Sequence, residues 1–317
     1  MGHTYSHFWF VSPAVILMFV ILILPIFVAA TFSFTDYNLG STDFKWIGWK
    51  NYESLGKFSS YSKMFTASLT YVVIVVPVSV LLGLGSAMLI SSLRFGGELY
   101  KAIFFLPVMA TLLAMAYAWE FALDPVMGVI NKVLDDGCSV GWFYKFFTGS
   151  WLGFNPTESW YGGLCSDRMP NWLGNKTYAL GSISFIGIWQ AFGFNMVLYL
   201  AGLTSIPRDL YAAAEIDGAN STWEKFKLVT WPMLGPTHVF VVTITSIRSF
   251  QVFDTVEALT RGGPSKSTYV MVYAMFEKGV KQNLIGMGST LTIVFLGFVL
   301  LLTLTQVYFI NRKVHYS

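Results

Sequence analysis

Six stretches of this chain are apolar over about the ~20 residues a helix needs to cross the hydrocarbon core of a bilayer. They are Phe8–Phe34, Ala67–Ile90, Leu99–Leu123, Tyr178–Leu203, Thr237–Val256 and Leu284–Ile310. Lipid offers no partner for a free N–H or C=O, so runs of this length fold as helices that satisfy their own backbone. The expected fold is an all-α integral membrane protein with about six transmembrane helices. Charged residues are only 12% of the chain, about half the share in soluble proteins. A net charge of +3 is too small to point to nucleic acid. The first stretch is read as a retained span, because its apolar run exceeds the ~7–15 residues of a cleaved signal, no Lys or Arg precedes it, and no small-residue cleavage site follows.

Between the fourth and fifth stretches lies a polar segment, Leu203 to Pro236, of a kind that a simple connector does not need. A first short helix is expected to open at Ser205, with Pro207 in its first turn, and to run through Tyr211-Ala212-Ala213-Ala214-Glu215-Ile216-Asp217. Gly218 ends it as a C′ glycine. Ser221-Thr222-Trp223-Glu224 has the spacing of a capping box, so a second helix should start there and stop at Pro232. The alanines leave one face nearly bare, open to close approach by a partner.

Lys and Arg are spread over both sets of loops and the outer loops are long, so charge does not orient the chain. The only two cysteines, Cys138 and Cys165, both fall in the longest loop, 124–177. They suit a disulfide in an oxidising compartment, with two unlinked thiols as the alternative. With that loop outside, an even number of spans places both termini and the Gly218 elbow in the cytoplasm. The loop is also rich in aromatic residues, from Trp142 to Trp172, which suit either a docking face or the membrane surface.

Ala212-Ala213-Ala214-Glu215-Ile216-Asp217-Gly218-Ala219, followed by Val229-Thr230-Trp231-Pro232, resembles the cytoplasmic loop of permease subunits of binding-protein-dependent ABC importers. The chain is similar to the carbohydrate-type permeases of the maltose and glycerol-3-phosphate branch. Ser33-Phe34-Thr35-Asp36-Tyr37, Asn51-Tyr52, Phe105-Leu106-Pro107, Gly128-Val129-Ile130-Asn131 and Phe253-Asp254 leading to Gly262-Gly263-Pro264 carry the likeness over nearly the whole length. Two departures stand out. Ala212 occupies a position usually held by Glu, and the stretch from Gly218 to Pro232 is about one residue longer than the common pattern. Glu215, one turn along the same helix face, is expected to supply the missing carboxylate to a basic residue of the ATPase.

The resemblance implies that residues 1–66 hold an N-terminal tail, the first helix and the first outer loop. Residues 67–310 form the core permease domain, with the coupling loop at 204–236, and 311–317 a cytoplasmic tail. It implies a multi-pass protein of a bacterial inner membrane, itself not an enzyme, that moves a sugar or related polyol or glycerol phosphate. Its expected partners are a second permease subunit, an ABC ATPase dimer that binds ATP and Mg, an extracytoplasmic solute-binding protein and lipid. No cofactor or metal is expected on this chain, which contains no Gly-x-x-x-x-Gly-Lys-Ser/Thr for nucleotide phosphates. Tyr211, Ala212, Ala213, Ala214, Glu215, Asp217 and Gly218 are the expected coupling residues.

Polar and aromatic residues inside spans are the candidates for the solute pathway: Glu120, Trp189, Gln190, Asn195, Arg248, Gln251 and Asp254. Arg248, Gln251 and Thr255 follow helical spacing, which would give the fifth helix one hydrophilic face with Arg248 at mid-span and Asp254 near the outer end. The alternative role for Arg248 is an internal ion pair with Glu120. Gln190 and Asn195 lie about 140° apart around a helix, so one should face the cavity and the other a neighbouring helix. Trp189, Phe192 and Phe194 could stack on a sugar ring. Tyr269 to Lys281 is expected to lie on the outer surface. The rival class is an ion-coupled secondary carrier. Such carriers show broken helices in corresponding halves and buried acids, whereas here Pro77 and Pro107 would break two spans of the first half only.

Overall fold

The computed structural model describes residues 6–93, 95–139 and 170–311. In chain order the helices are α1 (Ser6–Met18), α2 (Leu24–Phe32), α3 (Lys50–Lys57), α4 (Ser59–Ser92), α5 (Gly97–Met109), α6 (Leu112–Ala122), α7 (Val129–Ser139), α8 (Ala179–Thr204), α9 (Arg208–Ile216), α10 (Thr222–Lys225), α11 (Trp231–Met233), α12 (Gly235–Phe250), α13 (Asp254–Leu259), α14 (Met271–Phe276) and α15 (Ile285–Asn311). Among the described residues the β structure amounts to one isolated bridge, Thr35 to Trp46.

Among the described residues five helical runs are long and apolar enough to span a membrane: Val11–Phe32, Ser59–Ser92, Ala179–Thr204, Gly235–Leu259 and Ile285–Gln306. The sixth expected span departs from a single rod. Its two helices, Gly97–Met109 and Ala114–Ala122, meet at 100°, because Ala110 and Thr111 both adopt extended backbone. Neither proline breaks its helix where the sequence suggested. Pro77 lies inside the unbroken α4 and Pro107 inside α5, three residues before the bend begins; apolar spans tolerate proline when neighbouring groups take up the freed carbonyl.

Two other prolines follow one device. A π turn spans Phe19–Ile23 just before Pro25, with the Leu24 N–H bonded to the Phe19 carbonyl. A second spans Phe226–Thr230 before Pro232, with the Trp231 N–H bonded to the Phe226 carbonyl. In a regular α-helix the proline ring would strike the carbonyl four residues back. The wider i→i+5 turn moves that carbonyl away. Pro232 therefore does not end the second helix of the elbow: α10, the π turn, α11 and α12 follow one another with only Leu234 between the last two.

By internal contacts the chain divides into two units, Met1–Met64 with Met271–Leu302 and Phe65–Val270 with Thr303–Ser317. In the first, the amide of Asn51 donates to the carbonyls of Ser33 and Thr35, at 3.0 and 2.9 Å, while the Tyr52 and Ser33 hydroxyls share a 2.8 Å bond. Thr290 of α15 donates to the same Ser33 carbonyl. These bonds fasten the end of α2, and they give a physical task to the Ser33–Tyr37 and Asn51-Tyr52 motifs. Met271, Tyr273 and Ala274 are buried, so α14 packs into the protein instead of lying on its surface. A Cβ on Gly288 would come 2.6 Å from the Cα of Gly279, which shows how closely α15 passes that segment.

In the second unit α8 packs against α5 and α12, and α13 against α6. Small residues set these distances, as between helices in lipid generally. A Cβ on Gly83 of α4 would come 2.6 Å from that of Asn195, and one on Gly193 would collide with the Phe104 carbonyl of α5. The base of the long loop is clamped by Asn131, 3% exposed. Its Nδ2 donates to the Pro125 and Pro170 carbonyls, each at 3.1 Å, and its Oδ1 accepts from Trp172 Nε1 at 2.7 Å. Asn131→Asp keeps the acceptor but sets a carboxylate against two carbonyls. We expect it to cost about 3 kcal/mol, read as a lower unfolding midpoint in detergent and faster proteolysis of the 124–177 loop.

Candidate functional site

Two features carry the chemistry: the elbow between α9 and α10, and a cavity where α4, α5, α8 and α12 meet. The elbow is built by backbone geometry. α8 runs to Thr204, with Ser205 as its C-cap, and Pro207 in extended backbone caps α9, so α9 begins at Arg208 and not at Ser205. Gly218 has φ +96°. The Ala219 N–H bonds the Ala214 carbonyl and the Gly218 N–H that of Glu215, at 2.9 and 3.1 Å. This is a complete Schellman motif, and its C3 and C″ residues, Ala214 and Ala219, are both buried.

The capping box forms as the spacing predicts. Ser221 Oγ accepts from the Glu224 N–H and Glu224 Oε2 from the Ser221 N–H, at 3.1 and 2.9 Å. The Ser221 backbone N–H holds the Glu224 carboxyl below its usual range, followed by the Ser221 hydroxyl. A depressed carboxyl contributes its stability above the unfolded pKa, so the cap is fully formed at neutral pH and lost only in acid.

Two ties fix the angle of the elbow. Lys225 donates to Glu215, and the Tyr211 and Thr230 hydroxyls share a 3.0 Å bond. Glu215 is thus already engaged within the chain, although it keeps 57% of its side chain exposed. Ala212, Ala213, Asp217 and Gly218 are exposed, whereas Ala214 turns inward. Beside them Ile216, Trp223 and Leu228 present large apolar side chains, 87%, 70% and 62% exposed.

The cavity measures about 330 Å³ and is lined by Gln190, Asn195, Arg248, Gln251 and Asp254 together with Tyr71, Phe194, Thr245, Ser249 and Thr255. It lies beside a break in the fifth span. α12 ends at Phe250, residues 251–253 are non-helical, and α13 starts at Asp254. Arg248 is accordingly in the last turn of α12, not at the middle of a continuous helix, and the expected hydrophilic stripe is interrupted. The cation is well placed there, since the negative end of the helix dipole faces it. Its guanidinium lies 4.1 Å over the Phe194 ring. Asn195 is fully buried and joins three helices, donating to Ser79 Oγ at 3.3 Å and accepting from Thr245 Oγ1 at 2.8 Å. Gln190 is half-buried on the same wall, so of the two amides Asn195 is the one committed to neighbouring helices.

The pairing of Arg248 with Glu120 does not form. Among the described residues Arg248 has no ion pair. Glu120 lines a separate cavity of about 400 Å³ with Asp124, Asn171 and Thr260. Trp189 packs edge-on against Trp119, and Phe192 against Phe104; of the three aromatics only Phe194 lines the cavity that holds Arg248. Thr245 and Ser249 went unnoticed in the sequence although they stand one turn before and one residue after Arg248. Tyr71 gave no signal at all. Cys165 and the side chain of Cys138 lie outside the described residues, as do the loop aromatics between 140 and 169.

Residues 54–315 match the model of a family described as "binding-protein-dependent transport system inner membrane component". A probable starch degradation products transport system permease protein of Thermoanaerobacterium thermosulfurigenes is 27% identical over 309 residues, 96% of this chain and 94% of the relative. A trehalose/maltose transport system permease protein of Thermococcus litoralis is 32% identical over 250 residues, 78% of this chain and 72% of the relative. Among solved structures, a chain of a bacterial ABC transporter involved in import of the acidic polysaccharide alginate superposes with a TM-score of 0.74 at 19% identity, covering 97% of each chain.

Proposed function

The chain belongs to the family of binding-protein-dependent transport system inner membrane components, and from that premise we propose that it is a membrane subunit of an ATP-driven importer for a sugar or a related polyol or glycerol phosphate. A second permease subunit completes the pathway, an ATPase dimer holding ATP and Mg grips the elbow, and a binding protein delivers solute from outside. Both termini and the elbow face the cytoplasm. The observation that carries this reading is the connection of elbow to cavity. α8 supplies Gln190 and Phe194 to the cavity wall and continues through Ser205–Pro207 into α9, while α12 leads from the elbow's second arm to Arg248. Sixteen residues of α12 make a rod of about 24 Å. A pull on the elbow therefore displaces two walls of the cavity together, which is the rigid-body change that alternating access requires. Ile216 and Trp223 offer the apolar contact for the ATPase, and Glu215 the charge, once Lys225 is displaced or shared.

The test is reconstitution in liposomes with ATPase, second subunit and binding protein. Uptake should require ATP and every component, and Arg248→Ala should lower uptake about tenfold or more with ATP hydrolysis retained. Uptake by this chain alone under an ion gradient would establish a secondary carrier instead.

A further inference from the structure

The second arm of the elbow has a weak backbone where a load on it would have to pass. Pro232 and Pro236 have no N–H to donate. The turn over Phe226–Thr230 is of the wider i→i+5 kind, and Leu234 stands between α11 and α12. Prolines and π turns are the places at which helices bend.

Aromatic rings bridge that stretch. Trp223 of α10 stacks on Phe226 with centroids 5.4 Å apart, Phe226 meets Trp231 at 5.9 Å, and Trp231 meets His238 of α12 at 5.1 Å. His238 in turn meets Tyr199 of α8 at 6.0 Å, and its Nδ1 shares a 2.6 Å hydrogen bond with the Tyr199 hydroxyl. All four ring distances lie in the range of favourable aromatic contacts. One end of the series is in solvent and the other is sealed. Trp223 is 70% exposed, Phe226 and His238 are half-buried, and Tyr199 is fully buried.

The series depends on the π turn. Residues five apart stand about 140° apart around a regular α-helix, which would face Phe226 and Trp231 in different directions. An i→i+5 turn sets them one above the other. At the sealed end α8 and α12 run close together: a Cβ on Gly202 would come 2.7 Å from Thr237 Oγ1.

We propose that Phe226, Trp231 and His238 are positioning residues for transport, whose rings carry a displacement of Trp223 past the interrupted backbone to Tyr199. α8 and α12 then shift as one when the ATPase moves the elbow. The inference rests on the ATP-driven reading above and adds to it the means by which the second arm stays rigid.

The experiment uses the assembled transporter, with its ATPase and second subunit, in proteoliposomes. Gln251→Cys places a thiol on the wall of the cavity. Its labelling by a membrane-impermeant maleimide is timed without nucleotide and with ATP and vanadate, and labelled peptides are separated by mass spectrometry so that Cys138 and Cys165 stay in place. In this parent the two rates should differ about fivefold or more. Trp231→Leu, which keeps apolar bulk without a ring, and Tyr199→Phe, which removes only the hydroxyl, should each retain bound ATPase and ATP hydrolysis while that ratio falls by about half or more. Trp231→Phe should keep most of it. Combining Trp231→Leu with Tyr199→Phe should lower the ratio no further than the more severe single change, because one break in a series suffices. A ratio equal to the parent's in either single variant overturns the proposal, as does an equal loss in Trp231→Phe or a double variant in which the two reductions multiply. Loss of bound ATPase in Trp231→Leu also overturns it, by making Trp231 a docking contact. Should Trp231→Leu fail to accumulate, Tyr199→Phe decides by the same ratio. Absence of ATP hydrolysis in the parent assembly would overturn the importer reading itself, whereas hydrolysis with equal labelling in both states overturns the ring series alone.

Discussion

Gly218→Val is expected to reduce ATP-driven uptake to near background while the protein still accumulates and ATP is still hydrolysed. A Cβ at this position meets nothing within 4 Å, and the backbone has φ +96°, so the substitution introduces no clash, only conformational strain. A β-branched residue held there costs about 1–3 kcal/mol. The chain can relieve that cost locally by opening the Schellman turn. Opening it frees the Ala214 and Glu215 carbonyls, tilts α9 away from α10 and separates Glu215 from Lys225. The elbow would then bend under load instead of passing the load to α8 and α12. Gly218→Asn is the informative companion, because asparagine tolerates positive φ better than valine and should retain a measurable fraction of uptake. Parallel uptake and hydrolysis assays in proteoliposomes check both variants; equal uptake by wild type and Gly218→Val would show that the elbow angle is not what transmits force.

Gly193→Ala is expected to prevent stable folding. The added methyl would occupy the position of the Phe104 carbonyl on α5, and a backbone carbonyl cannot rotate away as a side-chain tip can. Either α5 and α8 separate along their contact or the α5 hydrogen bonding is broken. Overpacking of this kind costs about 3 kcal/mol or more, a large share of the ~5–15 kcal/mol that holds a typical protein together. Gly181 belongs to the same helix and meets nothing within 4 Å, so Gly181→Ala should be neutral or slightly stabilising, given alanine's higher helix propensity. Size-exclusion profiles in mild detergent should show aggregate for Gly193→Ala and a monodisperse peak for Gly181→Ala.

Apolar length located the spans because lipid enforces it: α8 and α15 start and stop within a residue of the stretches read from sequence. The turn of the elbow was equally legible, since Gly218 and the Ser221–Glu224 box act within a few residues of themselves, whereas the start of its first helix at Arg208 and the run of its second past Pro232 were not. Breaks inside spans were not. The 100° bend at Ala110–Thr111 and the gap at 251–253 interrupt runs whose composition stays apolar or only mildly polar, and hydropathy does not register backbone torsion. Arg248, Gln251 and Asp254 were singled out for polarity inside an apolar run, the first two also for the spacing of a continuous helix, and the break that draws them into one cavity is a property of packing. Asn131 was noticed only as part of a resemblance. Its three bonds join residues 125, 131, 170 and 172, a relation that no local pattern records.

The π turn at Phe226–Thr230 bears on the extra residue that the resemblance implies between Gly218 and Pro232. An extra residue in a regular helix would rotate everything after it by about 100°, turning Arg248 out of the cavity. A turn closed by an i→i+5 bond absorbs one residue locally. A residue added in this arm is thus accommodated where the proline already calls for a wider turn, and the linker arm could change length without re-indexing the helix that bears the cavity-lining Arg248.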